Sequence, residues 1–477
     1  MLDPPLTSHQ ASGMELIEEH ANDVIGWYAE RGDVLGCEQF LQTFIKGAAT
    51  HAHMLFLSHF PKGPLSDHQR HLHIKAHEKS VPPGTIPDGA LSLLHAYENA
   101  GRPAPMTAYS RLIAALFRTP SSLAHAQAWD LFAHMRYVAH PQPDALLFTQ
   151  MIHACALPTP AEPERALDLF TEMTIDRRIP PTAGAYNAAI LACARSGAKV
   201  YVNEAFRLAK EMLDAHRDAR GRSAFRPDSQ TFGALLEGAK RIGDLGRARW
   251  ILAEMVDAAR QNPDVVVVDE RIMTHVFHAY AAYRPPFKRS MAPLVPVSAE
   301  GDAEPIKDEA VSASSPTEVS SSQEEEPSFA HLPPQSSAEV IGEARALFSR
   351  ISRSSSSPPP PQARGTSDTA ALPELPNVRV TPRLLNAYLA VFYAHASLET
   401  AHEMFRTVFA QEGIEKDAHT LVEALERCGR TRRRVPQQRA FAEEAWHEWV
   451  VRENEAPPPS ARHMRRAYAA RIRTQAL

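Results

Sequence analysis

Apolar residues recur along this chain in one helical stripe after another. Ala344, Leu347, Phe348 and Ile351 stand at i, i+3, i+4 and i+7, the spacing that lines one face of an α-helix. The same template appears at Ala128/Leu131/Phe132/Met135, Ala166/Leu169/Phe170/Met173, Ala205/Leu208/Ala209/Met212, Ala248/Ile251/Leu252/Met255 and Ala401/Met404/Phe405/Val408. Weaker copies are Cys37/Phe40/Leu41/Phe44, Ala90/Leu93/Leu94/Tyr97 and Ala442/Ala445/Trp446/Trp449. Successive stripes begin 53, 38, 38, 39, 43, 96, 57 and 41 residues apart. A single stripe is an ordinary core helix, whereas nine with near-regular central steps form a repeat array.

A second, shorter helix is predicted upstream of the stripes, opened by a large residue followed by a small or polar one. The openers are Tyr109-Ser110, Phe148-Thr149, Tyr186-Asn187, Phe232-Gly233, Met273-Thr274 and Leu385-Asn386. From opener to stripe the distance is 16 to 19 residues, except for Met273, where it is 71. Pro143-Asp144, Pro181-Thr182 and Pro227-Asp228 separate units, because Pro disfavours helix for the residue before it. Each unit is therefore a helix-turn-helix whose apolar stripe is buried only by stacking on its neighbours. The expected fold is all-α, an α-solenoid with one set of helices lining a concave groove.

Two stretches break the pattern. Residues 289–335 are acidic and Ser/Pro-rich, and residues 352–377 contain SSSSPPPP. Both lack the apolar area that would offset ordering entropy and are predicted to be disordered linkers. The first interrupts the repeat opened by Met273 at its inter-helix turn, where closure entropy grows slowly with length. The resulting layout is degenerate helical repeats over 1–105, core repeats over 106–288 and the acidic linker. The second helix of the interrupted repeat follows over 336–351, then the second linker, and C-terminal repeats with a basic tail over 378–477.

Charge follows this layout. The chain carries −5 overall. Residues 300–327 hold nine acids against Lys307, a charge of −8, so the remainder sums to +3. From Arg427 to Leu477 twelve Arg face five Glu, a charge of +7. The structured part is thus mildly basic and its C-terminal end strongly so, while solvated helix faces remain an account of any one cluster.

Several classes are set aside. No apolar stretch reaches the ~20 residues needed to span a bilayer. The first twenty residues contain no Lys or Arg and four acids, neither a signal peptide nor an Arg-rich presequence. The four cysteines, Cys37, Cys155, Cys193 and Cys428, form no CxxC pair and read as core residues. No Walker loop, GxSxG or HxE with a following CxxC is present, so no enzyme and no cofactor are expected. His73 and His77 share a helix face within a histidine-rich stretch, but with no Cys or partner spacing no metal site is assigned.

Three runs resemble pentatricopeptide repeats: LLFTQMIHACA...ERALDLFTEM...IPPT, TAGAYNAAILACARSG...NEAFRLAKEM followed by RPD, and LLNAYLAVFYAHASLETAHEMFRTVFAQEGIEKD. The resemblance covers Met106 to Asp269 and Arg383 to Asp417. The Trp and Gly-Tyr of tetratricopeptide units are absent. The Ser/Pro/acidic insertion and loose repeat lengths are most similar to fungal mitochondrial members, including factors that process small-subunit ribosomal RNA.

The resemblance implies an RNA-binding protein of the mitochondrion acting in RNA processing or maturation on organellar rRNA or pre-mRNA. In the family each repeat offers one nucleotide to two side chains: the polar residue after the opener and the last residue of the closing turn. Here those pairs are Ser110 with Asp144, Thr149 with Thr182, Asn187 with Asp228, Gly233 with Asp269, Thr274 with Thr381, and Asn386 with Asp417. Gly233 has no side chain to read with, and Thr149/Thr182 departs from the family pattern. Asn near a helix start also serves as a cap, and Asp as a turn former. Phosphate contacts, which supply most affinity, would come from Lys240, Arg241, Arg247 and Arg249. Further candidates are Arg430, Arg432, Arg433, Arg434, Arg462, Arg465, Arg466, Arg471 and Arg473. The acidic insert would screen this basic surface against non-specific RNA. The competing expectation is a protein-binding scaffold, such as an assembly factor of the mitochondrial small ribosomal subunit.

Overall fold

A computed structural model of the chain describes residues 18–46, 65–158, 160–214, 223, 225–261, 265–286, 333–356, 375, 377–430, 436–454 and 458–475. Arg432, Arg433, Arg434 and most of both linkers lie outside these residues. The described residues form two units, Met1–Ala192 and Cys193–Leu477. They are all-α, with no strand among them.

The first unit contains α1 (Glu18–Arg31), α2 (Val34–Lys46), α3 (Asp67–Lys79), α4 (Asp88–Asn99), α5 (Met106–Arg118), α6 (Ser122–Val138), α7 (Ala145–Ala154) and α8 (Pro163–Thr171). It ends within α9 (Ala183–Arg195). The second unit continues with α10 (Lys199–Asp214), α11 (Ser229–Ile242), α12 (Leu245–Gln261), α13 (Glu270–Ala282) and α14 (Ser337–Ser356). It closes with α15 (Pro382–His395), α16 (Leu398–Gln411), α17 (Ala418–Arg430), α18 (Pro436–Glu453) and α19 (Ala461–Gln475). Each unit is an α-solenoid of hairpins. In the first unit the odd-numbered helices α1, α3, α5 and α7 stack in a row, and in the second α11, α13, α15, α17 and α19 do.

The stripes do the packing expected of them. Ala128, Leu131, Phe132 and Met135 of α6 are buried, as are Ala166, Leu169, Phe170 and Met173 of α8 and its extension. So are the full stripes of α10, α12 and α14. The openers Tyr109, Phe148, Tyr186, Phe232, Met273 and Leu385 are buried as well. A large buried side chain stabilises by roughly 1.5–3 kcal/mol relative to leaving it exposed, so these rows dominate cohesion.

The repeat is also written in its polar contacts. His134 Nε2 donates to Glu98 at 2.9 Å, His140 Nε2 to the Ala104 carbonyl at 2.8 Å, and Arg177 to the Pro141 carbonyl at 3.4 Å. Arg136 bonds Glu172 in the same way. Each of these pairs spans 36 residues, so equivalent corners of neighbouring hairpins meet.

The interrupted repeat closes as a hairpin despite its insert. Phe277 of α13 and Tyr388 of α15 meet Phe348 of α14, the last two rings stacked at 4.2 Å. Tyr280 Oη donates to Glu343 at 3.0 Å, and Tyr283 Oη to the Pro334 carbonyl at 3.0 Å. The described residues resume at Pro333, and α14 runs on to Ser356.

The ends of the second helices differ. Gly101 after α4 and Gly413 after α16 take left-handed φ of 68° and 65°. The corresponding position after α8 is Arg178, at φ 53°. It follows a π-helical turn, Glu172–Asp176, that the 3.6-residue pattern does not foretell.

Candidate nucleic-acid interface

The closing residue of one repeat proves to be the N-cap of the next repeat's first helix. Asp144 accepts from Leu147 N at 2.8 Å, Thr182 from Ala185 N at 3.1 Å, and Asp228 from Thr231 N at 2.8 Å. Asp269 accepts from Ile272 N at 2.9 Å, Thr381 from Leu384 N at 3.3 Å, and Asp417 from Thr420 N at 2.7 Å. These side chains satisfy amides that a helix start otherwise leaves open. Five residues further on stands the polar opener position: Thr149, Asn187, Gly233, Thr274 and Asn386. It lies inside the helix, so the openers cap nothing.

The openers are turned into the packing. Ser110, Asn187, Thr274 and Asn386 are buried. Ser110 Oγ donates to the Met106 carbonyl at 3.1 Å, Thr149 Oγ1 to Ala145 at 2.7 Å, and Thr274 Oγ1 to Glu270 at 2.8 Å. Gly233 leaves room beside Ile272, whose Cδ1 would sit 3.6 Å from an added Cβ. Asp144, Thr182 and Asp269 are exposed.

The sixth pair meets directly. Asn386 Nδ2 donates to Asp417 Oδ1 at 3.1 Å, and Asn386 Oδ1 accepts from Thr420 Oγ1 at 2.7 Å. Burial raises the Asp417 pKa, but hydrogen bonds from Thr420 and Asn386 outweigh it and hold the carboxyl below its ordinary value.

Basic side chains on the first helices are mostly answered by acids. Glu237 of α11 takes Arg241 at 3.0 Å and Arg195 at 3.3 Å. Lys240 Nζ donates to His275 Nδ1 at 2.8 Å. Burial, then the Lys240 charge, bring the His275 pKa down to about 3. Arg247 packs over the Phe206 ring and pairs with Asp244 at 3.4 Å. Arg249, only 8% exposed, reaches Glu343 at 3.5 Å and belongs to the interior of the interrupted repeat. Its sequence position hid this, because Glu343 lies beyond the long insert.

A cleft of about 280 Å³ opens along the first helices of α13, α15 and α17 and reaches α19. Small residues Ala281, Ala390 and Ala394 give it depth, and Arg427, Arg430, Arg466, Glu423 and Glu426 wall it. Glu426 holds Arg466 at 2.8 Å and Arg430 at 3.2 Å; Arg466 first, then the other arginines, keep its pKa low. The Tyr393 hydroxyl, on the same wall, is shielded from water and has no hydrogen-bond partner among the described residues. Three guanidiniums against two carboxylates leave the cleft a net positive charge. Guanidinium planes suit a flat, polar or anionic ligand.

Helix α19 carries the remaining charge. Ala467 and Ala470 are buried, while Arg462, Arg465 and Arg473 are exposed. Arg471 lies over the Trp446 ring, and Tyr468 Oη donates to Glu453 at 3.0 Å. Glu426, Glu423, Arg427 and Tyr393 carry no repeated sequence mark, and only the register between first helices assembles them.

No family model matches the sequence, and no curated protein does. Among solved structures, the chain is similar to the pentatricopeptide repeat protein PPR10 in complex with an 18-nt psaJ RNA element, with 13% identity and a TM-score of 0.31. A triple cysteine-to-serine variant of the same complex gives the same values. The match covers 98% of this chain, which spans 60% of the length of that one.

Proposed function

We propose that this protein is a pentatricopeptide-type RNA-binding protein, without enzymatic activity, that holds single-stranded RNA along its first-helix rows. The observation that carries this reading is the α13–α19 cleft, net positive and walled by Arg427, Arg430 and Arg466. Exposed caps at Asp144, Thr182 and Asp269 are the base-reading positions we propose, with Asn187 the best-preserved opener. Exposed arginines on α19 supply phosphate contacts. The proposed setting is maturation of a mitochondrial rRNA or pre-mRNA, following the sequence resemblance.

The test is crosslinking and immunoprecipitation of RNA bound to the tagged chain in cells. One enriched site, lost when Arg427, Arg430 and Arg466 are replaced together by Gln, is the expected result. RNA recovery without an enriched site, or unaltered by those replacements, overturns it.

A second reading has its own observation. Asn386 and Asp417 satisfy one another, and Glu237 and Glu426 neutralise neighbouring arginines, as in a surface made for protein. A protein-binding scaffold, such as an assembly factor of the mitochondrial small ribosomal subunit, would co-purify with ribosomal proteins after nuclease treatment. The RNA reader would not.

A further inference from the structure

We propose that Glu38, His73 and His77 form a zinc site that clamps α2 to α3. His73 and His77 lie one turn apart on α3, with ring centroids 5.2 Å from one another. Both Nε2 atoms are shielded from water and have no hydrogen-bond partner among the described residues. Facing them, Glu38 of α2 brings Oε1 to 3.3 Å from His77 Nε2. One ligand atom from each residue lies within 4.8 Å of the other two.

An ion pair between Glu38 and His77 would account for those two groups. It leaves His73 Nε2 shielded from water with no partner among the described residues, a desolvation that nothing offsets. A metal ion answers all three groups at once. A partner that would orient the imidazole is already in place: His73 Nδ1 stands 2.8 Å from the hydroxyl of Tyr97 on α4. With Nδ1–H donated to Tyr97, the Nε2 lone pair points to the site, as metal-bound imidazoles require. Two imidazoles and a carboxylate suit zinc rather than magnesium or calcium. The Glu38 side chain is 42% exposed, so a fourth position is open to water.

The neighbouring group His95, Glu98 and His134 has comparable spacing, but its members already satisfy one another. The Glu98 carboxylate accepts from both imidazoles, at 2.8 and 2.9 Å, and from the Tyr109 hydroxyl.

The full chain, stripped with EDTA and dialysed, is titrated with zinc chloride, and its thermal midpoint is recorded with and without zinc. One zinc per chain and a raised midpoint are expected, unaffected by excess magnesium. Glu38→Gln and His77→Gln should each weaken binding about tenfold or more, the loss seen even for residues that only hydrogen-bond to a ligand. Paired His95→Gln and His134→Gln replacements should leave binding as it was. No saturable binding, binding unaltered by Glu38→Gln, or binding abolished by the His95/His134 replacements overturns the proposal. If His77→Gln alters the circular dichroism spectrum, Glu38→Gln, on the solvent side, decides the matter.

Discussion

Asn386 on α15 donates its amide to the carboxylate of Asp417, the residue that caps α17, at 3.1 Å. One carboxylate thus starts its own helix and anchors the first helix of the preceding repeat. Removing it opens two faults. Asp417→Ala loses a cap, about 1 kcal/mol, and strands the buried Asn386 amide, about 1–3 kcal/mol. A total near 3 kcal/mol should appear in urea unfolding, with Asp417→Asn much milder because Asn also caps. Equal losses for the two variants would contradict this.

Arg178 offers a gain instead. It holds φ 53° where Gly101 and Gly413 occupy the matching helix ends. A left-handed conformation costs a non-glycine residue roughly 1–2 kcal/mol. Arg178→Gly should therefore raise stability, less the extra chain entropy of glycine in the unfolded state, by about 0.5–1 kcal/mol. A thermal midpoint unchanged or lowered would show the strain to be absent.

Acid should find His275. Unfolded histidine titrates near 6.5, and burial brings His275 to about 3. Between those values the unfolded chain binds the extra proton, so this contribution is complete above pH 6.5 and is lost as pH falls towards 3. The slope reaches at most about 1.4 kcal/mol per pH unit. His278, brought to about 4 chiefly by burial, adds in the same direction. His275→Gln keeps an acceptor for Lys240 and should flatten the dependence of unfolding free energy on pH between 7 and 5.

Two arginines of equal standing in the sequence should part company. Arg249→Ala removes the cation beside Glu343, which keeps its hydrogen bond from Tyr280, and should cost about 1–3 kcal/mol. Arg465→Ala, on the exposed face of α19, should change stability by less than about 0.5 kcal/mol. If RNA lies there, its binding weakens for every sequence alike, and the salt slope falls by about one. Chemical denaturation and filter binding over a salt series measure both.

Stripe and opener were legible because each needs only local periodicity: Ala128 to Met135, or Tyr186, is buried wherever its hairpin stacks. Glu343 and Arg249 were not, since 94 residues and an insert separate them. Glu426 with Arg466, and Asn386 with Thr420, depend on the register between helices of different repeats. The caps show the other limit. Asp144 and Asp228 have the same sequence mark whether they start a helix, read a base or do both, and geometry assigns only the first.

The α13–α14 hairpin is held by Phe277 on Phe348, Tyr280 on Glu343 and Tyr283 on the Pro334 carbonyl, and the peptide between them adds none of those contacts. These contacts would hold the two helices together even without covalent continuity at this corner. A protease cut between Phe287 and Leu332 would give two fragments that migrate separately in detergent yet travel as a single particle in native buffer. Half of a repeat would then come from each polypeptide, and this solenoid could be supplied as two gene products and still assemble in register.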